Sequence, residues 1–132
     1  MVDPQIVREW LDKAEEDFGF ACSVLEETDY FGPLCFHFQQ SAEKFLKAFI
    51  VANELDFVKR HDLLFLLEIC LRKTPSLNSL SQACKFLNRF YIDTRYPVHW
   101  PEAFSKEHAL KAKEAAEKIK LAVLRELGKL QD

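Results

Sequence analysis

Apolar residues recur at alternating spacings of four and three positions near both ends of the chain. The pattern runs from Val7 to Leu25 and again from Ala109 to Leu130. Positions three and four apart lie over one another on an α-helix, so each segment has one continuous apolar stripe. Glycine occurs 3 times and proline 5 times in 132 residues, which leaves few of the turns that a protein of short strands needs. The sequence therefore predicts long amphipathic helices.

The same spacing rules, with capping and breaking residues, divide the chain into about five predicted helices. They run from Pro4, behind the cap Asp3, to about Glu27; from Pro33 to about Glu54; from His61 to Leu71; from the cap Ser79 to near Arg95; and from Phe104 and Ser105 onward. The first, second and fifth have similar lengths, so we expect them to pack side by side. The prediction is an all-α single domain over residues 1–132, an up-and-down antiparallel bundle with a four-helix-bundle-like core.

Charge and composition narrow the class of function. The net charge of -3 gives no overall attraction to a polyanion, so contact with nucleic acid would need a local basic patch. No basic segment leads into an apolar run at Met1, and no stretch is long enough to span a membrane, so we expect a cytoplasmic protein without membrane contact.

The cysteines are scattered singly, which favours reduced core residues over a metal site, and no cofactor is expected. They are Cys22, Cys35, Cys70 and Cys84.

The segment "YIDTRYPVHW" at residues 91–100 concentrates polar and aromatic groups at the predicted end of the fourth helix. The guanidinium of Arg95 suits a phosphate, and Tyr91 and Tyr96 can stack on a base. His99 could move a proton to or from a ribose hydroxyl during RNA cleavage. Alternatively, Arg95 only caps the helix, because the last helical carbonyls attract a cation. The residue types leave both interpretations open.

Two further groups of basic residues are candidates for anion binding. Lys44 and Lys47 share a stripe of the second helix that can face water or a ligand. Lys59, Arg60 and His61 lie at the predicted start of the third helix, where backbone NH groups could help to bind an anion. Both groups are also explained as ordinary solvated charges.

Three motifs in order make the sequence resemble the HEPN family of small prokaryotic helical proteins. They are "FHFQQSAEKFLKAFIVANE" at 36–54, "KRHDLLFLL" at 59–67 and "FYIDTRYPVHW" at 90–100. The residues that match the family pattern are Gln39, Gln40, Ala42, Glu43, Lys44, Lys47, His61, Asp62 and Leu63. The resemblance covers nearly the whole chain, and the order and spacing of the three motifs make it specific.

The resemblance implies a helical bundle, often a homodimer, that binds a nucleotide or RNA. Many members are encoded beside a minimal nucleotidyltransferase in toxin–antitoxin pairs. Ribonuclease members carry an arginine and a histidine separated by a longer spacer than the three residues between Arg95 and His99 here. We therefore expect a binding and interaction module, with two alternatives: a metal-independent ribonuclease that uses Arg95 and His99 across a dimer, or a structural scaffold. The expected nucleotide-binding residues are Arg95, Tyr96, Tyr91, Lys44, Lys47 and His61.

Overall fold

The computed structural model describes residues 2–93 and 104–130, and these residues form helices and their connections without a β-strand. The helices are α1 (Pro4–Val24), α2 (Phe31–Ala52), α3 (Leu63–Leu71), a 3-10 helix (Pro75–Leu80), α4 (Ser81–Asn88), α5 (Phe90–Asp93) and α6 (Lys106–Leu130). Within this part of the chain, no helix has the length and apolar character that a membrane crossing requires. The predicted all-α helical bundle is confirmed.

Helix α2 is the centre of the bundle. It packs against α1, α3 and α6, and it also contacts α4 and α5. Its phenylalanines Phe38, Phe45 and Phe49 are buried, and their spacings of seven and four residues place them on one side of the helix. Burial of one such side chain stabilises the fold by roughly 1.5 to 3 kcal/mol, so this helix contributes much of the core.

Side-chain contacts give the relative directions of the long helices. Phe20 near the end of α1 meets His37 near the start of α2, whereas Trp10 meets Lys47 further along, so these helices are antiparallel. Glu26 pairs with Lys106 and Glu15 pairs with Lys120, so α1 is also antiparallel to α6. Helices α2 and α6 therefore run in the same direction, and the shorter helices between them carry the chain back.

The start of α2 differs from the prediction. The sequence predicted a start at Pro33, but Gly32 and Pro33 both lie in the first turn of the helix, which begins at Phe31. A proline is tolerated there because the first NH groups of a helix have no partner within the helix. A Cβ on Gly32 would lie 3.1 Å from the ring of Phe104, so glycine permits close contact with the residues that precede α6.

The predicted fourth helix is divided into shorter pieces. Ser79 does not cap an α-helix, because residues 75–80 form a 3-10 helix and α4 begins at Ser81. The helical pattern is then interrupted at Arg89 before α5 begins. A continuous apolar stripe is compatible with both geometries over so few residues, so the periodicity did not distinguish them.

Helix α2 ends in a Schellman motif without glycine. The NH of Leu55 donates to the carbonyl of Ile50 at 2.9 Å, and the NH of Glu54 donates to the carbonyl of Val51 at 3.1 Å. Glu54 has a φ of 54°, in the left-handed region that usually favours glycine. The chain turns at this point and continues towards α3.

The cysteines are free thiols, as predicted. Cys35, Cys70 and Cys84 are buried and Cys22 is partly buried. Burial raises the pKa of each of the three buried thiols to about 12. They therefore remain protonated at neutral pH, and their contribution is to the packing of the core.

Candidate functional site

A buried carboxylate, Glu43, lies at the centre of a polar cluster on α2. Its residue is only 4% exposed, and its oxygens accept hydrogen bonds from two basic side chains. The Nζ of Lys47, one turn further along, lies 2.9 Å from Oε2. The Nδ1 of His61 lies 3.0 Å from Oε1 and 2.9 Å from Oε2. A buried carboxylate is tolerated because these partners replace the water that it has lost.

Lys47 is enclosed by the same cluster. It is 5% exposed, and its ammonium lies 5.8 Å from the ring centroid of Trp10 and 5.7 Å from that of Phe57. The two rings contact each other with a centroid distance of 5.6 Å. Helical periodicity placed Lys47 on a stripe that can face water or a ligand, but it does not reveal neighbours from distant segments. The structure places the ammonium inside, as the counter-ion of Glu43.

His61 connects this buried pair to the surface. A carboxylate can only accept hydrogen bonds, so Nδ1 donates to Glu43 and the opposite ring nitrogen is left for other contacts. The side chain is 46% exposed. Its ring stacks on Tyr91 with a centroid distance of 4.4 Å and an interplanar angle of 17°. Two residues that the sequence predicted as nucleotide-binding, His61 and Tyr91, are thus in contact.

An open depression of about 410 Å³ lies beside the stacked rings. Its lining residues are Lys59, Arg60, His61, Asp62, Asn88 and Tyr91. Lys59 and Arg60 are exposed, and neither forms an ion pair with a carboxylate whose side chain the structure describes. The guanidinium carbon of Arg60 lies 3.9 Å from the ring centroid of Phe65, a cation–π contact. The depression therefore has a cationic rim next to an aromatic wall.

Asp62 also lines the depression, and hydrogen bonds hold its carboxylate in place. Its Oδ1 accepts hydrogen bonds from the NH of Leu64 at 3.0 Å and the NH of Phe65 at 3.3 Å, which caps α3. The same oxygen accepts the amide NH of Asn88 at 2.9 Å, and the amide oxygen of Asn88 accepts the NH of Leu63 at 2.8 Å. The backbone NH groups at the start of this helix are thus already occupied. The expectation that they help to bind an anion is wrong for this reason.

Lys44, the other predicted residue on α2, lies in a different environment. Its Nζ is 2.5 Å from Oδ2 of Asp17, and the same carboxylate accepts Nδ1 of His37 at 3.2 Å. It lines a separate depression of about 690 Å³ together with residues of α1. Those are Glu9, Trp10, Asp12, Lys13 and Glu16. Lys44 is therefore not part of the cationic depression. The three carboxylates that line its own depression disfavour a phosphate there.

Arg95, Tyr96 and His99 lie outside the described residues. Sequence reasoning missed Asn88, because nothing in a helical segment marks one asparagine as the partner of a distant aspartate. The burial of Glu43 was also missed. Its position four residues before Lys47 was the available signal, since charges at this spacing often pair on a helix.

Comparison with known proteins supplies the family context. The model of the HEPN domain family matches residues 7–127. A crystal structure of TT1696 from Thermus thermophilus is similar, with a TM-score of 0.81 and 31% identity over 90% of this chain and 96% of that chain. The crystal structure of ST0689, an archaeal HEPN homologue, has a TM-score of 0.73 and 26% identity over 91% of this chain and 96% of that chain. The comparison with curated proteins gave no match.

Proposed function

Because this chain belongs to the HEPN domain family, we propose that it is a non-catalytic module that binds a nucleotide or single-stranded RNA. The proposed site is the depression beside His61 and Tyr91. The observation that carries the proposal is the combination, in one open depression, of exposed cations with a stacked and anchored pair of rings. Phosphate and nucleobase are the ligand groups that these two features recognise.

The cationic rim supports binding of the phosphate. Lys59 and Arg60 project from the connection before α3, and both are exposed without a carboxylate partner in the described part of the chain. The Arg60 guanidinium is held by its contact with the ring of Phe65, and this contact uses none of its NH groups as donors to an oxygen acceptor. A planar guanidinium held in this way loses little conformational entropy when it binds a phosphate.

The aromatic wall supports binding of the base. Tyr91 stacks on His61. The ring centroids of Tyr91 and Phe36 are 6.3 Å apart, and these two rings are inclined by 28°. Glu43 holds the ring of His61, and Nε2 of Gln39 donates to the backbone carbonyl of His61 at 3.4 Å. Stacking of a base on an aromatic side chain contributes roughly 1 to 3 kcal/mol. These anchors position the wall before a ligand arrives.

We test this proposal by calorimetric titration of ATP and of a short single-stranded RNA. The variants are Arg60→Ala and His61→Ala, and the matched control is Arg125→Ala, which removes the same charge from an exposed position on α6. Arg60→Ala should weaken binding roughly tenfold or more, because a charge-assisted hydrogen bond contributes about 1.5 to 3 kcal/mol. The control should bind like the wild type. Identical heats for all four proteins, or no heat for any, would exclude this depression.

The proposal also concerns assembly and turnover. In it, the chain forms a homodimer and pairs with a minimal nucleotidyltransferase in a toxin–antitoxin system, as the family resemblance implies. Light scattering coupled to gel filtration measures dimer formation, and co-purification with a co-expressed minimal nucleotidyltransferase measures the pairing. RNA that is cleaved in the presence of a chelator by wild type but not by His99→Ala would contradict the non-catalytic role.

A further inference from the structure

The depression contains one charged acceptor that the proposed phosphate and base contacts do not use. Oδ1 of Asp62 accepts three hydrogen bonds, from Leu64, Phe65 and Asn88. Among the groups that the structure describes, none donates to its Oδ2 and none forms an ion pair with the carboxylate. An ionised carboxylate has lone pairs on both oxygens, so Oδ2 retains its capacity for donors from solvent or from a ligand.

We infer that Asp62 Oδ2 accepts a hydrogen bond from a ribose hydroxyl, so that the depression selects ribonucleotides over deoxyribonucleotides. This inference rests on the proposed function, because it names the class of ligand for the same site. The sugar of a nucleotide joins the base to the phosphate. With the base on the wall of His61 and Tyr91 and the phosphate on Lys59 and Arg60, the sugar is placed within the depression that Asp62 also lines.

The chemistry of the acceptor favours the sugar. A carboxylate offers no donor, and the donors of a nucleotide are its sugar hydroxyls and the NH groups of its base. Carboxylates that follow a nucleotide-binding turn commonly recognise ribose hydroxyls in other folds, and the 2′-hydroxyl distinguishes RNA from DNA. The hydroxyls occur in all four ribonucleotides, whereas the base NH groups differ among them.

Asp62 is held firmly enough to discriminate. Its Oδ1 is fixed by the cap of α3 and by the amide of Asn88 on α4. That amide is itself oriented, because its oxygen accepts the NH of Leu63. Because Oδ1 is anchored, Oδ2 can move little, and the carboxylate cannot adjust to a ligand that lacks the hydroxyl. Loss of the hydroxyl therefore removes a hydrogen bond between the ligand and a charged acceptor.

The test compares AMP with 2′-deoxy-AMP and 3′-deoxy-AMP, and AMP with UMP, by calorimetric titration. The variant is Asp62→Asn, which keeps an oxygen for the helix cap and replaces the outer acceptor with an NH2 donor. Its melting temperature should stay close to that of the wild type. The wild type should bind AMP roughly tenfold more tightly than at least one of the deoxynucleotides, because a hydrogen bond to a charged group is lost, and the variant should lose this ratio.

The outcomes separate this inference from the proposed function. If the wild type binds AMP and both deoxynucleotides equally, the inference is overturned and nucleotide binding at the depression stands. The inference is also overturned if Asp62→Asn keeps the sugar preference of the wild type. It is overturned as well if the wild type has no sugar preference but prefers AMP to UMP and the variant abolishes that base preference. If no nucleotide binds to the wild type, the proposed function itself is removed.

Discussion

Replacement of Glu43 by alanine tests whether the buried ion pair controls the stability of α2. The change leaves the ammonium of Lys47 without a counter-ion, and the side chains of both residues are only 6% exposed, so little water can replace the carboxylate. Removal of one partner of a buried pair costs about 3 to 5 kcal/mol. The rings of Trp10 and Phe57 lie 5.8 and 5.7 Å from the ammonium, close to the limit for a cation–π contact, and offset only about 1 kcal/mol.

We therefore expect Glu43→Ala to lower the free energy of unfolding by about 3 kcal/mol, a large part of the roughly 5 to 15 kcal/mol of a typical domain. Urea unfolding followed by far-ultraviolet circular dichroism at pH 7 measures this loss. Glu43→Gln keeps an acceptor for Lys47 and should lose about half as much. In the double variant Glu43→Leu with Lys47→Met, no buried charge remains, and the loss should fall below about 1 kcal/mol. Glu43→Ala within about 1 kcal/mol of wild type would refute the reasoning, as would a double variant no more stable than the single one.

Three further predictions concern the thiols and the cap of α3. The pKa of Cys35, Cys70 and Cys84 rises from 9.0 to about 12 on folding, so between these values the unfolded chain binds fewer protons. The free energy of unfolding should therefore fall by about 1.4 kcal/mol for each thiol between pH 8 and pH 10 in urea titrations, because over this range mainly the unfolded thiols ionise; the triple alanine variant should show a smaller fall. A thiol reagent should label Cys22 in the native protein and Cys35, Cys70 and Cys84 only after unfolding, which peptide mass mapping would show. Rapid labelling of all four cysteines in the native protein would contradict the burial of these three. Asp62→Ala should lower stability by about 1 to 2 kcal/mol through loss of the cap, whereas Asp62→Asn should remain near wild type in thermal melts; equal losses would contradict the cap.

The long helices were predictable because their apolar stripes extend over many turns. The spacing from Val7 to Leu25 is compatible with only one regular structure. Prediction failed where a few residues decided the geometry. Gly32 and Pro33 fit either a turn or a first helical turn, and residues 75–80 fit either a loop or a 3-10 helix. Contacts with distant residues, such as that of Gly32 with Phe104, distinguish these cases.

The candidate site was only partly predictable. The sequence identified His61 and Tyr91 as potential ligand contacts, and the structure places their rings together. It did not reveal that Lys47 points into the bundle or that Asn88 orients Asp62, because both facts depend on how separate helices are arranged. Binding by any of these residues stays a prediction. The same holds for Arg95 and its neighbours, which lie outside the part of the chain that the structure describes.

The left-handed backbone of Glu54 affects a site that it does not line. A residue other than glycine in this conformation costs roughly 1 to 2 kcal/mol, and the fold retains it at the point where the chain leaves α2. That turn sets the course of the following connection, which brings His61 back to Glu43, a residue 18 positions earlier. The backbone conformation of Glu54 thus helps to place the imidazole of His61 against the carboxylate of Glu43. Changes in this connection would shift His61 and so reshape the depression, even with every side chain that lines it intact.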